Sequence, residues 1–139
     1  MDDKELIRLA IDARSRSYSP YSEYRVGAAL LCGGDTVFTG ANIENASYPA
    51  TICAERVAVG NAISSGRSDL TAIAIAGGKS SETGTLSDYA TPCGICRQVL
   101  REFCDPASFR ILVARSVDDY KEFTLDELLP ESFGPDHLN

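Results

Sequence analysis

The sequence predicts an α/β protein of three layers, α/β/α, around a mixed sheet of about five strands. Three observations carry the prediction. An amphipathic helical segment at the N-terminus runs into a two-strand hairpin; two apolar, strand-sized runs follow; and each of these runs is preceded by a segment of helical spacing. A length of 139 residues suits one domain over residues 1–139.

Leu6, Leu9, Ala10 and Ala13 recur at the spacing of one helical face. Asp2 and Asp3 stand ahead of them and Arg14 and Arg16 behind, which suits the helix dipole, so a helix is expected over Asp3 to Ser17. Tyr18 to Glu23, interrupted by Pro20, reads as a loop. Tyr24 to Cys32 and Thr36 to Thr39 flank Gly33-Gly34-Asp35 as an antiparallel hairpin. After a polar stretch from Asn42 to Ala50, the segment Ile52 to Ser64 is apolar almost all the way round, which predicts a buried helix with Thr51 as its cap. Leu70 to Ala76 is a continuous apolar strand of the kind covered on both faces. Gly77-Gly78 reads as a turn and Ser80 to Ala90 as a loop. Cys93 to Cys104 predicts a further helix, stopped by Asp105-Pro106, and Phe109 to Ala114 a second buried strand. Lys121 to Thr124 suggests a fifth strand, and Thr124-Leu125-Asp126-Glu127 fits a capping box for a short helical turn.

Composition narrows the function. Thirteen Lys and Arg against 20 Asp and Glu leave a net charge of −7, with no basic stripe to neutralise phosphates, so nucleic acid is not an expected partner. No apolar run approaches the roughly 20 residues of a bilayer span. The N-terminus carries acid where an export signal carries base, so a cytoplasmic protein is expected. Gly33-Gly34 and Gly77-Gly78 lack the spacing of phosphate loops, and His137, the single histidine, sits in the tail.

Five cysteines remain to be explained: Cys32, Cys53, Cys93, Cys96 and Cys104. Cys93-Gly94-Ile95-Cys96 is a C-x-x-C pair at the expected start of a helix, where the dipole favours thiolates. Taken alone it fits a zinc site, a redox pair or two structural cysteines equally well. The redox reading is weakened by the motif's place after the third strand and by a third cysteine with a carboxylate nearby, Cys53-Ala54-Glu55. Two helix starts facing one another would bring Cys53, Cys93 and Cys96 to one metal ion and leave its fourth position open, the mark of a catalytic zinc. Cys32 ends a strand and Cys104 lies at the far end of its helix, so neither is placed to close the shell; both read as small hydrophobes. Arg56 would offset the negative charge of three thiolates by donating to their sulfurs. Glu55, buried beside an open metal position, would move protons.

Cys53-Ala54-Glu55 with Pro92-Cys93-x-x-Cys96 resembles the signature of zinc nucleobase deaminases in its three-cysteine form. Tyr21-Ser22-x-Tyr24-x-Val26-Gly27-Ala28-Ala29, Asn42-Ile43-Glu44-Asn45-Ala46-Ser47-Tyr48, Cys96-Arg97-Gln98-Val99-Leu100 and Glu127-Leu128-Leu129-Pro130 extend the likeness over nearly the whole chain. Together they resemble the small homotetrameric zinc-dependent cytidine deaminases.

That resemblance implies one Zn2+ per subunit on Cys53, Cys93 and Cys96, with Glu55 as catalytic acid and base. It implies a pyrimidine nucleoside as substrate, with Asn42 and Glu44 on a ribose hydroxyl, Tyr24 lining the pocket where the family usually has phenylalanine, and Ala54 offering a backbone contact to the pyrimidine. A buried Glu44 would discriminate against a ligand lacking the hydroxyl, and its negative charge would favour free nucleoside over nucleotide. Phe133 resembles an aromatic that stacks on the pyrimidine of a neighbouring subunit, the alternative being a hydrophobe that pins the tail. Arg25 replaces a usual proline and Pro49 a usual glycine. The implied reaction is the hydrolysis of cytidine and deoxycytidine at C4 in pyrimidine salvage, with Glu55 carrying protons to N3 and to the departing amine. Competing readings are a deaminase of a cytosine-nucleoside antibiotic or a nucleotide, a non-catalytic zinc-binding module, and a polynucleotide cytosine editor.

Overall fold

The computed structural model describes residues 1–138. Helix α1 (Asp3–Ala13) starts at Asp2, whose carboxylate accepts from the Lys4 amide, and presents Leu6, Ile7, Ala10 and Ala13 as one buried face. It stops earlier than expected. Residues 14–16 tighten into a 3₁₀ turn because Arg14 swings inward: its guanidinium donates to the carbonyls of Arg25, Gly78 and Lys79, and Ser17 N–H closes the turn on Arg14. Strands β1 (Tyr24–Cys32) and β2 (Thr36–Ala41) form the antiparallel hairpin across Gly33-Gly34-Asp35. Next come α2 (Ala54–Ser64), β3 (Leu70–Lys79), α3 (Gly94–Phe103), β4 (Arg110–Ser116), β5 (Asp119–Thr124) and the short α4 (Leu125–Leu128). The capping box of Thr124 and Glu127 is formed.

The sheet has five strands in the order β2-β1-β3-β4-β5, with only the β3–β4 pair parallel. It is the expected mixed sheet with helices on both faces. On one face Leu6, Ile7 and Ala10 of α1 meet Ala29, Ala72, Ala74 and Leu112. On the other, Ala54, Ala58 and Ala62 of α2 and Leu100 of α3 meet Leu30, Ile73, Ile75 and Ile111.

Three further expectations are corrected. Gly77-Gly78 is not a turn; both residues continue β3, paired with Val26 and Arg25 of β1. Thr51 does not cap α2. Cys53 occupies the cap position, and the Thr51 hydroxyl instead accepts from the Asn45 amide. Nor is α2 buried all round, since Gly60 and Ile63 are exposed on its outer side.

Register decides where the chemistry lies. Tyr24 pairs with Lys79 and Gly27 with Ala41, so the start of β1 and the ends of β2 and β3 share one end of the sheet. The loops leaving β2 and β3 there lead into the N-termini of α2 and α3. Close approach of α2 depends on Gly40: a Cβ at that position would stand 2.5 Å from the backbone oxygen of Ala54 and the backbone nitrogen of Ala58.

Candidate active site

The Asn42–Ile52 segment is anchored on both sides before it reaches Cys53. Ile43 and Ile52 exchange backbone bonds of 2.9 Å, Tyr18 N–H donates to Asn42, and Glu44 N–H donates to Tyr18. Cys53 and Cys93 are the cap residues of α2 and α3, each extended and neither accepting a cap hydrogen bond. Cys96 lies one turn into α3 and is buried. The three Sγ atoms lie within 4.8 Å of one another, with Cys53 and Cys93 separated by 3.8 Å. Zinc–sulfur bonds of about 2.3 Å at tetrahedral corners require sulfur separations of about 3.8 Å, so these soft donors fit a zinc ion. Among the described residues the cluster contains no fourth ligand. Cys32 is buried in the core, and Cys104 packs against that core with its thiol pushed up to about 12 by burial.

Arg56, one turn along α2, donates from Nη2 to the Cys53 sulfur at 3.4 Å, and its Nε is buried without a partner. Proximity to the sulfurs of Cys53 and Cys96 raises its pKa further. The neighbouring Cys96 thiol, with help from Arg56 and Cys93, holds the Cys53 thiol down to about 5, while the proximity of Cys53 and burial raise that of Cys96. Three thiolates on a divalent cation sum to −1, and the guanidinium brings the cluster to neutrality.

Glu55 lies in the first turn of α2 and is only 4% exposed. Burial, reinforced by the negative charge of Cys53, pushes its carboxyl up to about 7. It borders a cavity of about 410 Å³ that is also lined by Tyr24, Asn42, Cys53, Ala54 and Cys93. A carboxyl that titrates near neutrality beside a metal-binding cluster is suited to accept and return a proton.

Asn42 is buried, and its side chain is already committed. Oδ1 accepts from Val26 N–H at 2.9 Å and from the Ser17 hydroxyl at 2.5 Å, while Nδ2 donates to the Tyr24 carbonyl at 2.9 Å. One amide hydrogen is left for a ligand. Glu44 is half-buried rather than buried. Its carboxylate accepts from the amides of Tyr21 and Ser22 and from the Ser22 hydroxyl, which holds it below the usual carboxylate range. It lines an adjoining cavity of about 410 Å³ with Tyr21, Ser22, Tyr48 and Thr51, and Thr51 borders both spaces. Phe133, 57% exposed, lies outside its own chain's cavity, stacked on His137 with its carbonyl held by Gln98. His137 is therefore engaged as well: its ring accepts from the Gly134 amide.

Tyr89, Ala90 and Thr91 also line the cysteine cavity, a wall that sequence reasoning left as featureless loop. The available signal was their position just ahead of Pro92-Cys93.

The comparisons agree with this geometry. Residues 1–110 match the family model described as the cytidine and deoxycytidylate deaminase zinc-binding region. The cytidine deaminase of Halalkalibacterium halodurans is 45% identical over 139 residues, covering 100% of this chain and 99% of that protein. That of Mycobacterium tuberculosis is 39% identical over 129 residues, covering 93% and 87%. The crystal structure of cytidine deaminase from Burkholderia pseudomallei matches with a TM-score of 0.83 at 37% identity, over 96% of this chain and 100% of that one. On its sequence, its fold and its trio of cysteines, the chain belongs to the cytidine and deoxycytidylate deaminase zinc-binding family.

Proposed function

We propose that the protein hydrolyses cytidine and deoxycytidine to uridine and deoxyuridine, releasing ammonia. The observation that carries the reading is the convergence of three sulfurs at two helix N-termini with a buried carboxyl in the same cavity. Cys53, Cys93 and Cys96 would hold a zinc ion, which when bound would acidify a water enough for it to act as a nucleophile near neutral pH. Glu55 would carry both protons of the consumed water in turn, the first from the water to N3 of the pyrimidine and the second from the hydroxyl then on C4 to the departing nitrogen. One water is consumed, the C4–N bond breaks, a C4 carbonyl forms and ammonia departs. Arg56 keeps the thiolate cluster from accumulating negative charge.

Tyr24 and Ala54 border the space for the nucleoside. The remaining amide hydrogen of Asn42 and the carboxylate of Glu44 in the adjoining cavity are assigned to the ribose. Phe133 is assigned to the pyrimidine of a neighbouring subunit in a homotetramer; its exposure outside its own cavity supports that assignment. The reading is of a single catalytic domain working in the cytoplasm in pyrimidine salvage, with neither nucleic acid nor membrane as partner. The net charge of −7 supports the exclusion of nucleic acid, and no helix among the described residues is long and apolar enough to cross a membrane.

The test is loss of cytosine absorbance with ammonia release, beside zinc analysis. Wild type should turn over cytidine with one zinc per chain. Glu55→Ala should keep its zinc and lose about 10²- to 10⁴-fold in kcat. A zinc-loaded wild type inert towards both nucleosides refutes the proposal.

A further inference from the structure

The wall formed by residues 89–91 is held in place by an element far from the cysteines. The loop before α3 is tied to the end of β4 at Leu86, whose amide donates to the Arg115 carbonyl at 2.9 Å and whose carbonyl accepts from Arg115 Nε at 2.8 Å. Three residues on, the Tyr89 phenol donates to Asp119 Oδ1 at 2.5 Å, at the start of β5. Both sides of the β4–β5 turn also place cations over the Tyr89 ring: Lys121 Nζ is 4.3 Å and Arg115 Cζ 5.3 Å from its centroid. Arg115 in turn bonds Asp119 at 3.2 Å. The wall rests on the sheet at Gly77, where a Cβ would come within 2.7 Å of the Ala90 Cβ and 3.1 Å of Tyr24 Cε1 and Val26 Cγ2. Residues 89–91 are thus seated on bare β3 backbone and tethered sideways to the β4–β5 hairpin.

We infer that Tyr89 is a positioning residue for substrate binding: its phenol, tied to Asp119, holds the 89–91 wall of the cavity at the spacing the nucleoside needs. The inference rests on the deaminase reading for its substrate but not for its tether. Tyr89→Phe keeps the ring and both cation contacts and removes only the hydroxyl. A net hydrogen bond lost from the wall should appear as a KM for cytidine raised about 3- to 10-fold, with kcat within about two-fold of wild type. Asp119→Ala should raise KM similarly, and the double variant no more than the larger single effect, because both remove the same bond.

Hydrogen exchange reads the tether without substrate. Backbone amides across 86–91 should exchange several-fold faster in Tyr89→Phe while those of β3 are unchanged. Unaltered exchange in that segment overturns the inference, as does faster exchange with an unaltered KM, or additive KM effects in the double variant. A wild type that deaminates neither nucleoside overturns the function reading and with it the substrate role of Tyr89, leaving the exchange result to decide the tether alone.

Discussion

A carboxyl group sealed inside a protein costs stability when it is charged, and Glu55 is sealed. Its pKa of about 7 lies above the ordinary value of 4.5, so in the metal-free chain the folded state holds a proton that the unfolded state has released. Between those two pH values the folded state binds more protons, and stability falls as pH rises; below pH 4.5 the effect is absent, and above 7 it is complete. Glu55→Gln lacks it. In chelator-treated protein unfolded by urea, the variant's stability relative to wild type should therefore grow by about 3 kcal/mol from pH 4.5 to above 7. A difference that stays constant across that range would mean that Glu55 is not desolvated. Under the proposed reaction the cost has a use, because a proton carrier must titrate near the working pH. Cys53 and Cys93 show a related trade: they stand at cap positions without accepting a cap bond, which leaves their sulfurs available to a metal.

At the scale of elements, the site depends on how closely α2 lies against β2. Gly40→Ala places a methyl 2.5 Å from two backbone atoms of α2, and backbone cannot rotate out of the way as a side chain can. The helix must shift. The expected cost is about 1–3 kcal/mol in urea unfolding, with weaker retention of zinc against a chelator, since Cys53 caps the displaced helix. Wild-type stability and zinc retention in this variant would show that α2 is not seated through Gly40. The elements themselves were largely legible as sequence, because amphipathic spacing and turn glycines act within a few residues. Their ends were less so. The termination of α1 at Ala13 depends on Arg14 reaching carbonyls of β1 and β3, and the continuation of β3 through Gly77-Gly78 depends on β1 extending back to Tyr24.

At the scale of the whole molecule, Phe133 makes the sharpest prediction. Its segment is fastened to α3: Arg101, buried, donates to the Ser132 hydroxyl at 2.8 Å and to Asp136 at 2.7 Å, while the Phe133 ring remains exposed. If that ring completes a neighbour's site, Glu55→Ala and Phe133→Ala subunits should complement one another. Each pure variant should be impaired, and co-refolded mixtures should recover activity, since a site with Glu55 from one chain and Phe133 from the other is complete. Mixtures no more active than the average of their components would place Phe133 within its own chain's chemistry or outside it altogether.

What the sequence determined by itself was the alternation of helices and strands, the trio of cysteines that converge and the carboxylate beside it. Periodicity and the chemistry of helix starts are short-range, so they can be read from neighbouring residues. Only the tertiary structure decided that Cys53 and not Thr51 caps α2, that Glu44 faces a second cavity with its carboxylate held by the Ser22 loop, and that Tyr89 forms a wall secured by Asp119. Those outcomes depend on contacts between segments distant along the chain, and such contacts exist only once the sheet has set the register that brings the segments together.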